Sequence, residues 1–272
     1  MPATKTRTVP SLDKALGLLE LLTRCRSGLT LPELVEKSGL PKSSAHYLLV
    51  TLERRGYVHR SERTGRYMPG VQLFSMANLA LNGLGVRQRA DPYLSALRLR
   101  TGLTVHMAIL DNNEAVLVAR HDAHGGMRVA TWVGKRMDLH CTGLGKALIA
   151  FLPEKEIEAV VRERGLARHN ENTISTPRRL QENLQRVVKL GYALDDEEDE
   201  LGTRCIGAPV FASGDRPIAS VSLVGSLSEI NHENVAQLAE ELKSTARALG
   251  RVFADVSPTT STGAVALSGI AC

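Results

Sequence analysis

The stretch from Pro41 to Arg55 constrains this chain most, because its residues sort onto two chemically different faces of one helix. At about 100° per residue, Ala45, Leu48, Leu49 and Leu52 fall together on one side and must pack on neighbouring elements. Ser43, His46, Tyr47, Val50 and Arg54 fall opposite, with Lys42 at the edge. A helix with a purely structural role shows Glu and Lys to water. This one shows short hydroxyls, an imidazole and a phenol, groups that suit base edges and phosphates. An ordinary exposed face on a three-helix bundle is the alternative, and the flanking sequence decides between them.

Upstream, Leu12, Leu16, Leu19 and Leu22 recur at helical spacing with Ala15 and Leu18 beside them, so residues 12–26 read as a helix ended by Gly28. Thr30 and Glu33 make a capping-box pattern, with Pro32 in the first turn of a short second helix carrying Leu31, Leu34 and Val35. Gly39 breaks it before Pro41 opens the third helix. Downstream, Gly56 stops that third helix, Tyr57–Arg60 reads as a strand, Ser61–Gly65 as a turn and Arg66–Met68 as the returning strand. That is a wing, with Arg60, Arg63 and Arg66 on or beside its tip, where they reach phosphate or the minor groove. Charge agrees: residues 1–84 hold 12 Lys and Arg against 6 Asp and Glu, whereas the remainder holds 22 against 23. The candidate DNA contacts are therefore Lys42, Ser43, Ser44, His46, Tyr47, Arg54, Arg60, Arg63 and Arg66.

The 272 residues suit a small domain joined to a larger one. Val71, Phe74, Ala77, Leu81 and Leu84 repeat at helical spacing and read as a linker helix over 71–85, following a flexible arm at 1–10 and a DNA-binding domain at 11–70. From 86 to 254 the pattern is mixed α/β. Helices are expected at 86–100, 143–151, 154–164, 177–190 and 231–253, and strands at 104–110, 115–121, 127–132, 205–212 and 217–224. The tail 255–272, rich in Ser, Thr, Gly and Ala, reads as disordered. Small residues in Cys141–Lys146 leave backbone amides open where a helix starts, which favours an anion such as a carboxylate; a tight turn whose glycines only permit close packing is the alternative. The acidic run from Asp195 to Glu200 reads largely as a solvated loop. The chain has no run of eighteen apolar residues, and MPATKTRTVP lacks the apolar segment of a secretory signal, so a cytoplasmic protein away from membranes is expected. Cys25, Cys141, Cys205 and Cys272 are far apart and point to neither a disulfide framework nor a zinc ribbon.

SLDKALGLLELL, LTLPELVEKSGLPKSSAHYLLVTLERRGYVHR and TGRYMPG resemble the amino-terminal domain of the IclR family of bacterial regulators. HCTGLGKALIAFLP and GYALDDEEDELGTRCIGAPVF resemble that family's two effector-domain signatures, so the likeness covers about residues 11–253. It implies an α+β protein of two domains: a winged helix-turn-helix, a linker helix and a GAF/PAS-like mixed α/β effector-binding domain. It further implies a homodimer, and a pair of dimers, on a palindromic double-stranded operator, controlled by a small organic acid. Matching positions make Val129 and Met137 apolar walls of the effector pocket, with Gly143, Leu144, Asp195, Cys205 and Ser222 completing it. The residues by themselves also allow a turn cap for Asp195, a core thiol for Cys205 and a surface strand position for Ser222. Val224 stands where some relatives carry a second serine, so the ligand contact there differs.

Two other chemistries are weaker. A thiol enzyme would start from His140 beside Cys141, or from Cys205 with His106, His121, His124 or His169, but nothing specifies a base and an oxyanion site around a substrate. A metal sensor using His106, His121, Cys141 and Cys205 has irregular ligand spacing. No catalytic residue, metal or cofactor is therefore expected.

Overall fold

The computed structural model describes residues 9–25, 27–83, 86–125, 127 and 129–254. They form two compact units, the first ending at Leu84 and the second beginning at Gly85. The first eight residues of the expected arm, Leu84 and Gly85 of the expected linker and the tail 255–272 lie outside the described residues.

The first unit runs α1 (Pro10–Thr23), α2 (Leu31–Ser38), α3 (Lys42–Arg54), β1 (Val58–Arg60), β2 (Tyr67–Pro69) and α4 (Val71–Gly83). The capping box forms as read: Thr30 Oγ1 accepts from the Glu33 amide, and the Glu33 carboxylate accepts from the Thr30 amide at 2.7 Å. Gly39, at φ 67°, ends α2 and turns the chain into α3. Leu18, Leu22, Leu34, Leu49, Val58 and Tyr67 make the core. The leucine stripe of α1 splits. Leu18 and Leu22 are buried, whereas Leu12 and Leu16 are 59% and 50% exposed. A stripe that wide covers more arc than one contact needs, and the short α2 and α3 take only its carboxy-terminal half.

The first wing strand ends at Arg60 as expected and starts at Val58, and the returning strand lies one residue further along than the sequence pattern implies, with Val58 opposite Pro69 and Arg60 opposite Tyr67. Leu29 pairs with Tyr67 on its other side, through bonds of 3.0 and 2.7 Å, and so adds a one-residue third strand. Gly28 makes this approach possible: at φ 70°, its missing Cβ would sit 2.6 Å from the Tyr67 carbonyl oxygen.

The second unit runs α5 (Val86–Thr101), β3 (Thr104–Asp111), β4 (Glu114–His121), β5 (Arg136–Met137), α6 (Gly143–Ile149), α7 (Glu154–Arg164), α8 (Pro177–Leu190), β6 (Ala193–Asp196), β7 (Thr203–Val210), β8 (Ala219–Ser226) and α9 (Val235–Ala254). The strands form one antiparallel sheet in the order β5-β4-β3-β8-β7-β6. Helices α5 and α9 pack with Val105, Met107, Val221 and Leu223 from one face of the sheet. Helices α6 and α8 pack with Ala108, Leu117 and Ala193 from the other, and α6 is buried along its whole length.

Two sequence expectations fail here. No described residue of 127–132 is in a strand; the chain crosses there as a loop, and the edge strand is β5, paired with Ala115 and Val116. Alternation in that segment instead reflects Val129 and Thr131 dipping toward the domain interior, while Trp132 is 57% exposed. The acidic run is not a solvated loop at its start: Ala193–Asp196 forms the edge strand β6, and Asp195 and Glu198 are buried. Their burial follows from a lysine beneath them.

Candidate DNA-reading face and ligand cavity

Helix α3 turns Ala45 and Leu49 into the core and leaves Lys42, Ser43, His46, Tyr47, Val50 and Arg54 exposed, with Ser44 half-buried. Tyr47 is 72% exposed, although a phenol of that size ordinarily covers itself. Pro41 supplies no side-chain cap, so among the described residues no side chain competes for the first amides of α3, and they stay available to an anion such as a phosphate. Arg60 and Arg63 are exposed on the wing, Arg60 with its guanidinium 5.5 Å from the centre of the Tyr67 ring.

Arg66 differs from its expected place as a phosphate contact. Its guanidinium donates to both Glu33 carboxylate oxygens at 3.2 Å and to the Gly28 carbonyl at 2.8 Å. Beyond the tip, its guanidinium is held by the capping glutamate. Hydrogen bonds from Thr30, then the charge of Arg66, hold the Glu33 carboxyl below its usual range. Arg66 thus ties the base of the wing to the first turn of α2.

In the second unit the strand register builds a cavity wall. Thr104, Val224, Cys205 and Asp195 stand opposite one another across β3, β8, β7 and β6, and His106, Ser222, Gly207 and Ala193 form the next row on the same face. A cavity of ≈ 50 Å³ lies against this wall, bounded also by Leu144 and Thr142 of the α6 start, by Met137 of β5 and by Val129, Thr131 and Lys135 of the crossing loop. Asp199 and Glu200 close it from the loop after β6, and Thr203 from the start of β7. The sequence-chosen Val129, Met137, Leu144, Asp195 and Cys205 are thereby brought together. Gly143 and Ser222 stand behind the lining: a Cβ on Gly143 would meet Cys205 Sγ at 3.0 Å, and Ser222 is fully buried. Among the described residues, the Ser222 hydroxyl has no hydrogen-bond partner.

The Cys141–Lys146 segment proves to be the close-packing turn rather than an open anion nest. Thr142 Oγ1 accepts from the Gly145 amide at 3.0 Å, and a Cβ on Gly145 would sit 2.5 Å from Leu139 Cα. Burial pushes the Asp195 carboxyl up to about 8, against the opposing charge of Lys146. It is therefore largely protonated at neutral pH, while one of its oxygens still accepts from the Glu198 amide at 2.9 Å, the turn-cap role. Burial, then the charge of Arg120, lowers His106 to about 4, so the ring is neutral where its Nε2 meets Thr131 Oγ1 at 3.1 Å. Burial, with the Asp195 charge adding, pushes the Cys205 thiol up to about 12.

Lys146 was not among the sequence candidates. Its side chain is wholly buried; its Nζ donates to the Leu194 carbonyl at 2.6 Å and to Glu198 Oε1. A single charge in an otherwise apolar helix, with one acidic run elsewhere in the domain, is the signal that finds this pair. His106, Thr131, Lys135, Asp199, Glu200 and Thr203 were missed as lining residues. Strand parity would have found His106 from Thr104 and Thr203 from Cys205; the loop residues carry no such period. The four suggested metal ligands do not converge. Among the described residues, the donor cluster tight enough for an ion is Asp138, His140, Cys141 and His169, which shares only Cys141 with them.

Residues 11–62 match the IclR helix-turn-helix domain, and residues 78–251 match the bacterial transcriptional regulator IclR C-terminal domain. The chain is 32% identical to the HTH-type transcriptional regulator XynR of Escherichia coli K12 over 90% of its own length and 97% of that protein. It is 31% identical to the Thermotoga maritima IclR crystal structure, with TM-score 0.73, over 90% of this chain and 99% of that one. An IclR homolog of Microbacterium hydrocarbonoxydans, solved in complex with 4-hydroxybenzoate, shares the fold at TM-score 0.78 and 24% identity, over 89% and 98% of the two chains. With both domain matches in order, and together spanning most of the sequence, the chain belongs to the IclR family of bacterial transcriptional regulators.

Proposed function

We propose that the chain reads a palindromic operator as a homodimer, and as a pair of dimers, through α3 and the wing, and that a small organic acid held in the cavity of the second unit controls this binding. The observation that carries the DNA reading is the exposed Ser43, His46 and Tyr47 surface, opposite the buried Ala45 and Leu49, with Arg60 and Arg63 on the adjacent hairpin. Dimerisation is supported by exposed apolar side chains within the first unit: Leu12 and Leu16 on α1, Phe74 and Leu79 on α4. Catalysis is disfavoured because burial raises the thiol of Cys205, which lines the cavity, and the thiolate is the nucleophile.

The lining combines Lys135, whose Nζ donates to the Ala130 carbonyl, with the carboxylates of Asp199 and Glu200, a protonated Asp195 and a neutral His106, so the support for an acid comes from the family and from the relative solved with 4-hydroxybenzoate. Its volume of ≈ 50 Å³ is far below the roughly 300–1,000 Å³ of pockets for larger ligands. A short keto acid therefore enters with least displacement, and an aromatic acid requires outward movement of the walls at 131–137 or 199–203. Such a movement is how occupancy biases one arrangement of the effector domain over another. Thermal shift of purified protein with short 2-keto acids and with aromatic carboxylates tests the reading. A binder at 100 times its Kd adds about 2.7 kcal/mol. A panel in which no carboxylate raises the melting temperature overturns the effector assignment.

A further inference from the structure

We propose that Asp138, His140, Cys141 and His169 form a binding site for a divalent cation of the zinc type, beside the effector cavity and distinct from it. One donor atom from each residue lies within 4.8 Å of all the others. Asp138, His140 and Cys141 occupy the turn between β5 and α6, and His169 comes from the segment between α7 and α8, so one ion would clamp two separate parts of the domain. Two imidazoles, a thiol and a carboxylate are a tetrahedral nitrogen, sulfur and oxygen set, which suits zinc and discriminates against magnesium and calcium.

The donors are held in place before any ion arrives. His140 Nε2 faces the Ala167 carbonyl at 2.9 Å, and a carbonyl only accepts, so that nitrogen carries the proton and Nδ1 carries the lone pair. The His169 backbone amide donates to Thr173 Oγ1 at 3.1 Å, and that hydroxyl in turn donates to the Glu198 carbonyl at 2.7 Å. His169 Nε2 and Asp138 Oδ2 are 2.8 Å apart, and the rings of His140 and His169 lie 6.3 Å apart at 22°. His140 and Cys141 are buried, whereas His169 and Asp138 are over a third exposed on the side chain, which leaves a path for the ion to enter. Asp199 Oδ1 lies 4.0 Å from Cys141 Sγ and adds negative charge behind the thiol.

Position gives the site a consequence. Thr142 follows Cys141 directly, caps α6 and lines the effector cavity together with Asp199. An ion on Cys141 therefore fixes a cavity wall and couples metal supply to effector affinity.

The test uses full-length untagged protein stripped with a chelator. Cobalt(II) is titrated in, and zinc affinity is measured by competition with a chromophoric chelator. One equivalent of cobalt with tetrahedral visible bands and a thiolate charge-transfer band, displaced by zinc, is expected. His169→Ala, at an exposed position, should weaken zinc binding by at least about 100-fold, the upper end for loss of an outer-shell partner. Cys141→Ser should abolish the charge-transfer band; should that variant fail to fold, Asp138→Asn and His169→Ala carry the comparison. Absence of the charge-transfer band in the parent protein, or zinc affinity unchanged in His169→Ala, overturns the proposal.

Discussion

Replacing Lys146 with Met keeps the length of the side chain and removes its charge from a fully buried site. Glu198 then keeps a buried carboxyl whose Oε2 already lacks a partner among the described residues, and the Leu194 carbonyl loses its donor. Removing one member of a buried ion pair costs about 3–5 kcal/mol, because the remaining charge is uncompensated. Against a typical domain stability of roughly 5–15 kcal/mol, that is a large share. Burial already raises the Glu198 carboxyl, and loss of Lys146 raises it further. A carboxyl raised in the folded state contributes stability that is present below its unfolded value and is lost as pH rises through the folded value. The Lys146→Met deficit is therefore larger at pH 8 than at pH 5. Urea unfolding followed by far-UV circular dichroism reads both quantities. Adding Glu198→Gln to Lys146→Met should recover at least about 2 kcal/mol, leaving about 1 kcal/mol for the unpaired Leu194 carbonyl. A single-variant loss below about 1 kcal/mol, or no recovery in the double variant, refutes the reasoning.

Other consequences concern the cavity and the wing. Because Asp195 titrates near 8, affinity for an acid that stabilises the protein should fall above that pH, by about tenfold per unit once Asp195 is ionised, and Asp195→Asn should flatten the profile in calorimetric titrations. His106 is lowered to about 4, so its contribution to stability is full above its unfolded value near 6.5 and is lost as pH falls toward 4; His106→Gln should remove that part of the acid sensitivity in urea midpoints measured from pH 7 to pH 4. Arg66→Met should lower the melting temperature of the amino-terminal unit, whereas a phosphate contact would leave it unchanged and alter only the salt dependence of DNA binding.

Residues whose role follows from a local period were legible in the sequence. Thr30 and Glu33 cap α2 because capping chemistry spans four residues, and α3 separates into faces because Ala45 and Leu49 lie one turn apart. The leucines of α1 were harder, since Leu12 and Leu18 look alike until α2 and α3 choose between them. Nothing local marks Val129 and Thr131 as cavity residues rather than strand residues, because that alternation is set by which side chains dip beneath the sheet edge. Glu198 was read as solvated with most of the acidic run, and Asp195 as a pocket position only through the family resemblance; Lys146, about fifty residues earlier in the chain, is what compensates their burial. The cluster of Asp138, His140, Cys141 and His169 was hidden for a similar reason: its last donor comes from another loop.

The central claim is that the exposed side of α3 reads bases while the wing holds phosphate. Selection of bound sites from random duplexes, repeated for the Ser43→Ala, His46→Ala, Tyr47→Ala and Arg63→Ala variants with salt titrations, measures it directly. The α3 variants should each relax preference at particular positions by about 1–3 kcal/mol, and Arg63→Ala should weaken every sequence alike and reduce the salt slope by about 1. Unchanged preference in all three α3 variants would contradict the account.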